Sequence, residues 1–180
     1  MRARDETGFG LPELLMAMVV LNVGVLAVVA AFLSGNAALA RASRISTAAT
    51  LAEKQLEVYR GLKYDDILFV TSEWNGAVAD TAYTADDVYR TNMQNPVSPK
   101  ALVPTVSTCP TNAPASACDP SYTTTGADAR LYRVDTYLYY DAPGGGSQLK
   151  AITVAVRPAS GTSRVFARVS STFDSSTNPT

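Results

Sequence analysis

The acidic residue Glu13 lies at the edge of a long apolar run, so its carboxylate is the group in this chain that most needs a partner. From Leu14 to Leu33 the only strongly polar side chain is Asn22. A carboxylate at the centre of a bilayer costs about 2.5 to 3.5 kcal/mol on insertion scales, and less toward the edge. A charge in that position is by default functional and requires a cation. The alternative role is a favourable interaction with the positive N-terminus of a helix, which contributes about 0.3 to 1 kcal/mol.

Two cysteines, Cys109 and Cys118, form the second group with potential chemistry. They lie in the stretch STCPTNAPASACDPS, whose proline, serine and alanine content is typical of a loop. Two cysteines without further ligands do not form a zinc site. If the segment lies outside the cytoplasm, we expect a disulfide that closes this short loop and stabilises the fold by about 2 to 4 kcal/mol. Two unpaired thiols are the alternative for a cytoplasmic domain.

Most catalytic chemistry is disfavoured by the composition. The chain has no histidine, which excludes imidazole general bases, His-dependent triads and the commonest zinc ligand. Asp86 and Asp87 could contribute to a calcium site, but adjacent loop carboxylates are far more often solvated or capping groups. We therefore assign no catalytic residue, no metal and no cofactor, and we do not expect an enzyme. The formal charge is −1 without a basic cluster, so no nucleic-acid site is evident.

The apolar run that follows Glu13 is long enough to cross a membrane. About 20 apolar residues suffice to cross the hydrocarbon core as a helix, and the run from Leu14 to Leu33 supplies them. A secretory signal is the alternative, because Ala38 and Ala40 in NAALAR are small residues of the kind found at its cleavage site. The apolar region of such a signal has only about 7 to 15 residues, so we favour a membrane segment.

The helical signal continues beyond the apolar run and ends near Gly61. Apolar residues recur at spacings of three and four, while charged residues fall largely outside that stripe. We therefore predict one helix of about fifty residues, roughly 75 Å long, which Gly24 or Gly35 could bend. The apolar stripe consists of Leu39, Ala42, Ile45, Ala49, Ala52, Leu56 and Tyr59.

The C-terminal part of the chain contains three segments that alternate apolar and polar side chains. They are ARLYRVDTYLYYD, QLKAITVAVRP and SRVFARVSS, and each predicts a half-buried strand. Arg133 and Asp135 are predicted to lie on the opposite, polar face of the first strand. The apolar positions are Tyr132, Val134, Leu138 and Tyr140, then Ile152, Val154 and Val156, and finally Val165, Ala167 and Val169.

These strands predict an antiparallel meander. They are separated by APGGGS and PASGTS, which have the length and composition of hairpin loops. The apolar face of such a meander is the natural partner for the stripe on the helix. Between helix and meander, residues 63–128 show no sustained period, and we predict that this region is rich in loops.

The head of the chain carries a spacing that resembles a known processing signal. Gly8 is followed by the aromatic residue Phe9, and Glu13 is the fifth residue counted from that aromatic. This pattern is similar to the class III signal of type IV pilins and of the pseudopilins of type II secretion. In that family the prepilin peptidase cuts after the glycine and methylates the new N-terminal amine. The resemblance continues in Leu11, Leu14 and the stretch LAEKQLEVYRGLKYDDI, and it covers roughly the first third of the chain.

Two residues depart from the family pattern. Pro12 replaces the usual aliphatic residue before the glutamate, and Gly10 replaces the usual threonine or serine. Proline is tolerated in a first helical turn, where its missing N–H would be unpaired anyway, so a helix start near Phe9 is compatible with it. The resemblance implies that the amine freed at Phe9 is the cation for Glu13, on the same chain or on a neighbour with an axial offset.

The resemblance implies an α+β fold in which a long N-terminal helix packs on a C-terminal antiparallel sheet. It divides the chain into five parts. They are a leader peptide (1–8), a membrane and filament-core helix half (9–33), an amphipathic helix half (34–62), a variable loop-rich region (63–128) and a β-meander with a C-terminal tail (129–180).

The implied role is structural, as a minor pilin or pseudopilin held in the inner membrane by one helix with an extracytoplasmic head, and later part of an extracellular filament. Its implied partners are the prepilin peptidase, other pilin or pseudopilin subunits and, before assembly, membrane lipid. The alternatives are a membrane-anchored extracytoplasmic binding module and a secreted hydrolase freed at Ala40. N-terminal sequencing separates the three, because the mature chain would begin at Phe9, Met1 or Arg41 respectively.

Overall fold

A computed structural model describes residues 10–141, 149–160 and 164–175 of the chain. These residues belong to two units, formed by residues 1–42 and 43–180. The elements in chain order are α1 (Leu11–Arg60), a 3₁₀ turn (Tyr64–Asp66), α2 (Thr71–Ala79), α3 (Thr81–Thr84), a π turn (Tyr89–Met93), α4 (Ala115–Cys118), β1 (Ser121–Thr125), β2 (Leu131–Asp141), β3 (Leu149–Pro158) and β4 (Ala167–Asp174).

The long helix α1 has the predicted length and the predicted end. It comprises 50 residues and continues without interruption through Gly24 and Gly35. After Arg60 the N–H of Gly61 donates to the carbonyl of Glu57 at 3.1 Å, which closes the last turn. The spacing of apolar residues was therefore sufficient to predict a single continuous helix, although its first half is apolar throughout and its second half is amphipathic.

The end of α1 packs on the sheet within the unit formed by residues 43–180. Its buried residues are Ala48, Ala52, Gln55, Leu56 and Tyr59. The predicted stripe is confirmed at Ala52, Leu56 and Tyr59. It is wrong for Leu39, Ala42 and Ile45, which are exposed, because buried positions begin only at Ala48 and the sheet therefore covers about the last three turns of the helix. Ala49 is half-buried.

The sheet is an antiparallel meander of four strands in the order β1-β2-β3-β4. Val134 pairs with Val156, which in turn pairs with Ala167, so the predicted apolar positions of three strands share the face toward α1. Val165 is an exception. It precedes β4 and packs on the opposite face of the sheet, against the apolar cluster that contains Tyr83 and Tyr137. The strand β1, with the sequence SYTTT, was not predicted because its polar residues carry no alternation of apolar and polar side chains.

The prediction of half-buried strands is wrong for β2 and β3, which are buried on both faces along most of their length. On the face away from α1, the aromatic residues Tyr83 and Tyr89 and the small residue Ala77 pack against Tyr137 and Ala155. The segment between the helix and the sheet therefore supplies a second covering layer. In contrast, β4 alternates between partly buried and exposed positions, as predicted.

Several predicted segments lie outside the described residues. The leader peptide, the hairpin loop APGGGS, the last three residues of PASGTS and the end of the C-terminal tail belong to this group.

The turn between β1 and β2 is held in a conformation that alanine rarely adopts. The N–H of Gly126 donates to the carbonyl of Arg130 at 2.8 Å, and the N–H of Ala129 donates to the carbonyl of Gly126 at 3.0 Å. Ala129 has φ 58°, in the left-handed region. At Gly126 a Cβ would lie 2.5 Å from Cγ2 of Thr47 and 2.7 Å from the ring of Tyr132, so only glycine fits between helix and sheet.

We expect Ala129→Gly to raise the free energy of unfolding by up to about 1 kcal/mol. The left-handed conformation costs an alanine about 1 to 2 kcal/mol, while a glycine loses about 0.5 to 1 kcal/mol in conformational entropy. Denaturant unfolding of the full chain in detergent measures the difference. Ala127→Gly, at an exposed neighbour in the same turn, is the control and should lower stability. A lower stability of Ala129→Gly would contradict the strain at this position.

Candidate functional site

The first half of α1 presents an uncovered apolar surface. The large apolar side chains from Leu11 to Leu33 are between 49% and 80% exposed. Among the residues that the structure describes, α1 is the one helix long and apolar enough to span a membrane, and none of its most apolar 18-residue window is buried. An exposed apolar surface of this size is typical of a site that contacts a membrane or another protein.

Glu13 lies in the first turn of α1, at the start of this apolar surface. The carbonyl of Gly10 accepts the N–H of Glu13 at 3.0 Å and the N–H of Leu14 at 3.3 Å, which begins the helix. The side chain of Glu13 is exposed, and the next acidic residue of this helix is Glu53. The carboxylate is therefore stabilised by the positive helix N-terminus and is accessible to a further partner.

Gly8 and Phe9, the predicted cleavage and methylation residues, lie outside the described residues. The pairing of Glu13 with the amine of Phe9 therefore stays a prediction. Pro12 is the second residue of α1. A backbone N–H at this position would have no hydrogen-bond partner within the helix, so proline loses no helical hydrogen bond there.

The predicted disulfide between Cys109 and Cys118 is present, with 5.8 Å between the two Cα atoms. Cys118 is 2% exposed, and its carbonyl accepts the N–H of Val70 at 3.0 Å. The disulfide therefore connects the loop at Cys109 to a buried part of the unit formed by residues 43–180, which we call the head. No free cysteine occurs in the described part of the chain.

Two side chains from α1 hold this disulfide loop by its carbonyl groups. Gln55 Nε2 donates to the carbonyl of Ser116 at 2.7 Å, and Tyr59 Oη donates to the carbonyl of Ala117 at 3.0 Å. The hydroxyl of Tyr122 in β1 donates to Gln55 Oε1 at 2.8 Å, which orients the amide. Burial raises the pKa of Tyr59, and it raises the pKa of Tyr122 to about 12, so both phenols remain donors at neutral pH. The sequence analysis did not identify Gln55, because the spacing of apolar residues gives no information about which polar residues are buried.

We expect the double substitution Cys109→Ser, Cys118→Ser to lower the free energy of unfolding by about 3 kcal/mol. The bond joins two cysteines separated by 9 positions in the sequence. Without the bond the unfolded chain gains conformational entropy, and for a loop of this length that gain has the stated magnitude. Denaturant unfolding measures the loss. Thiol labelling of unreduced, denatured protein should find neither cysteine free, and two labelled cysteines in protein taken from outside the cell would contradict the bond.

A buried network of charges lies on the face of the sheet away from α1. The carboxylate of Asp86 pairs with Arg157 at 2.7 Å and with Arg168 at 2.8 Å. The carboxylate of Asp135 pairs with Arg157 at 2.9 Å and with Arg133 at 2.7 Å. The side chains of Asp86, Asp135 and Arg157 are at most 3% exposed. Charges at this depth persist because each has a partner of opposite sign.

The network reaches the surface at Asp80, which pairs with Arg133. Desolvation raises the pKa of Asp80, but the hydrogen bond from the N–H of Ala82 and the pairing with Arg133 outweigh it, so the pKa lies below its usual value. Three aspartates therefore balance three arginines. This arrangement is suited to fixing the covering layer on the sheet, and each carboxylate of the network is paired with a guanidinium group.

Asp86 and Asp87, considered above as calcium ligands, do not share a site. The carboxylate of Asp86 is occupied by two guanidinium groups, whereas Asp87 is exposed. A calcium ion requires several oxygen ligands that are free to coordinate it. Within residues 10–141, 149–160 and 164–175, no group of three or more His, Cys, Asp or Glu side chains is placed to hold a metal ion.

No protein-family model, curated protein or solved structure matches this chain. The sequence pattern, the α+β fold and the exposed apolar half of α1 therefore carry the functional interpretation.

Proposed function

We propose that this protein is a structural subunit of a pilin-like filament, a minor pilin or a pseudopilin of a type II secretion-like system. The observation that carries the proposal is the division of α1 into two halves. The first half exposes a membrane-length apolar surface, and the end of the second half, from Ala48 onward, packs on a four-stranded antiparallel sheet. A subunit of this kind is stored in the membrane by the first half and displays a head through the second.

The arrangement supports an assembly cycle in three steps. The apolar half first lies in lipid, where Glu13 at the helix start has access to water or headgroups. The prepilin peptidase then cuts between Gly8 and Phe9 and creates an amine. When the apolar halves of neighbouring subunits bundle, the carboxylate loses its solvent and pairs with that amine.

Two further observations support the proposal. The disulfide between Cys109 and Cys118 favours a head outside the cytoplasm, because structural disulfides form in oxidising compartments. Ala40, the alternative cleavage position, lies inside α1, which continues to Arg60. A helix that continues so far beyond Ala40 supports an anchor over a secretory signal. A permanently anchored binding module is the competing role, and it predicts a chain that still begins at Met1.

We expect Gly8→Trp to block processing and to leave the full-length protein in the membrane fraction, because the position before the cut requires a small residue. N-terminal sequencing and intact mass of the protein recovered from membranes measure the result. Unsubstituted protein should begin at Phe9 and carry one methyl group on its amine.

Gly8→Ala is the matched control, and its small side chain should preserve most of the cleavage. A normally shortened Gly8→Trp protein would contradict the assignment of the cleavage site. Unsubstituted protein that begins at Met1 would favour the binding module, and a chain that begins at Arg41 would favour a secreted protein.

A further inference from the structure

The strands β1 and β4 form the two edges of the sheet. An edge strand directs every second backbone N–H and C=O outward, where these groups can pair with a strand of another chain. Many proteins protect such an edge with proline or lysine. β1 has the sequence SYTTT and β4 the sequence ARVSSTFD. Neither edge is therefore protected in this way against a further strand.

The register of the sheet identifies which backbone groups of β4 point outward. The N–H of Thr136 donates to the carbonyl of Pro120 at 2.8 Å, so even-numbered residues of β2 bond toward β1 and odd-numbered residues toward β3. Carried across β3, this alternation directs the even-numbered residues of β4 outward. They include Arg168, Ser170 and Thr172, whose side chains are exposed. Among the residues that the structure describes, no backbone group bonds to their outward N–H and C=O groups.

The same alternation directs the odd-numbered residues of β1 outward. Thr123 and Thr125 are exposed, and no backbone group in the described part of the chain bonds to their N–H and C=O groups. Ser121 contributes only its carbonyl, because its N–H donates to Oδ1 of Asp119 at 2.9 Å. Each edge of the sheet therefore offers free groups on three alternate residues.

The two edges are complementary in direction. Because each strand is antiparallel to the one before it, β1 and β4 run in opposite directions. A second head displaced sideways without rotation therefore brings its β1 beside β4 in antiparallel orientation. Pairing of two β4 strands in one sheet requires half a turn of one head, which reverses the part of α1 that packs on it. Subunits held in one membrane carry α1 in the same direction, so they favour the pairing of β4 with β1.

We propose that β4 of one copy pairs with β1 of a second copy of this chain and joins the two heads into a continuous sheet. The register that pairs most of the free groups places Ser170 opposite Thr123 and Arg168 opposite Thr125. It also aligns the hydroxyl groups of Ser170 and Thr123, a cross-strand pair that stabilises sheets. The contact is heterologous, so it can repeat from subunit to subunit without closing, as a filament requires. The inference rests on the proposed function for the common direction of the subunits, but it does not require cleavage at Gly8.

The test is cross-linking between two differently tagged full-length copies in the membrane of a host that lacks the prepilin peptidase. One copy carries Ser170→Cys and the other Thr123→Cys, and a short bismaleimide joins thiols that lie on adjacent strands. The native cysteines do not react, because they are bonded to each other. We expect a product that contains both tags. Asp87→Cys, at an exposed residue outside both edges, replaces Ser170→Cys in the control and should give only background.

A proline at an outward position tests the backbone pairing itself. Thr172→Pro, added to the Ser170→Cys copy, removes a donor of the proposed ladder but no hydrogen bond to β3. We expect about tenfold less mixed product, the change that corresponds to the loss of one or two hydrogen bonds. Thr172→Val keeps the N–H and is the matched control, which should leave the yield unchanged. Thr125→Pro in the other copy makes the same test from β1, should Thr172→Pro fail to fold.

Three results would overturn the proposal. They are the absence of the mixed product, an equal yield with either folded proline variant, and a product formed between two copies that both carry Ser170→Cys, which indicates pairing of β4 with β4. Because neither copy is cleaved or assembled in this host, these results are independent of the N-terminal sequencing that tests the filament role.

Discussion

Glu13→Ala is expected to reduce entry of this subunit into filaments by more than tenfold, while cleavage and membrane insertion remain largely intact. In lipid the carboxylate lies at the start of α1, exposed in the first helical turn, so its removal changes little there. In a bundle of helices the amine of Phe9 would be left without its counter-ion, and breaking a buried pair costs about 3 to 5 kcal/mol. Quantitative detection of tagged subunits in sheared filaments and in the membrane fraction measures the ratio.

Two variants control this experiment. Glu13→Asp preserves the charge and should do less harm, since only the reach of the side chain changes. Glu53→Ala removes the next glutamate of the same helix, which is also exposed, and should enter filaments normally. If Glu13→Ala subunits reach the unsubstituted level in filaments, Glu13 acts only as a favourable charge at the helix N-terminus.

Asp86→Asn is expected to lower the free energy of unfolding by about 3 to 5 kcal/mol. The substitution preserves size but removes the carboxylate that pairs with Arg157 and Arg168, and the Arg157 side chain is only 3% exposed. Removal of one partner from a buried pair leaves an excess charge that the interior cannot solvate. Denaturant unfolding followed by the fluorescence of Trp74, the one tryptophan of the chain, measures the loss.

The neighbouring carboxylate provides the matched control for the buried network. Asp87 is exposed, so Asp87→Asn should change stability by no more than about 0.5 kcal/mol. A larger effect at Asp87 than at Asp86 would contradict the assignment of Asp86 to the network.

The main helix and one face of the sheet could be predicted from the sequence because both depend on short-range regularities. A helix repeats its hydrogen bonds and side-chain directions every few residues, so the apolar spacing and Gly61 were sufficient to predict α1 and its end. The alternation in β2, β3 and β4 likewise predicted which side chains face α1. The spacing of Cys109 and Cys118 in a short loop predicted their bond.

The layer that covers the face of the sheet away from α1 could not be predicted from the sequence, because its helices are too short to show a helical spacing of apolar residues. Helices α2 and α3 have 9 and 4 residues, fewer than the window in which a helical period becomes visible. Their packing is decided by tertiary contacts, such as the stacking of Tyr83 on Tyr137 with 4.6 Å between ring centres. Without that layer, the outer face of β2 would have been exposed, as the alternation alone predicts.

The sequence by itself determined the features that act as linear or local signals: the Gly8–Phe9–Glu13 spacing, the membrane-length apolar run and the periodic faces of helix and strands. Only the tertiary structure decided where the charges lie. Asp135 and Arg168 lie on the same face of the sheet because both are aligned with Ala155 in the strand register, and Asp86, from a separate segment, pairs with Arg157 and Arg168. The physical reason is that burial of a charge depends on which distant residues arrive to cover and pair it, whereas periodicity depends only on neighbours along the chain.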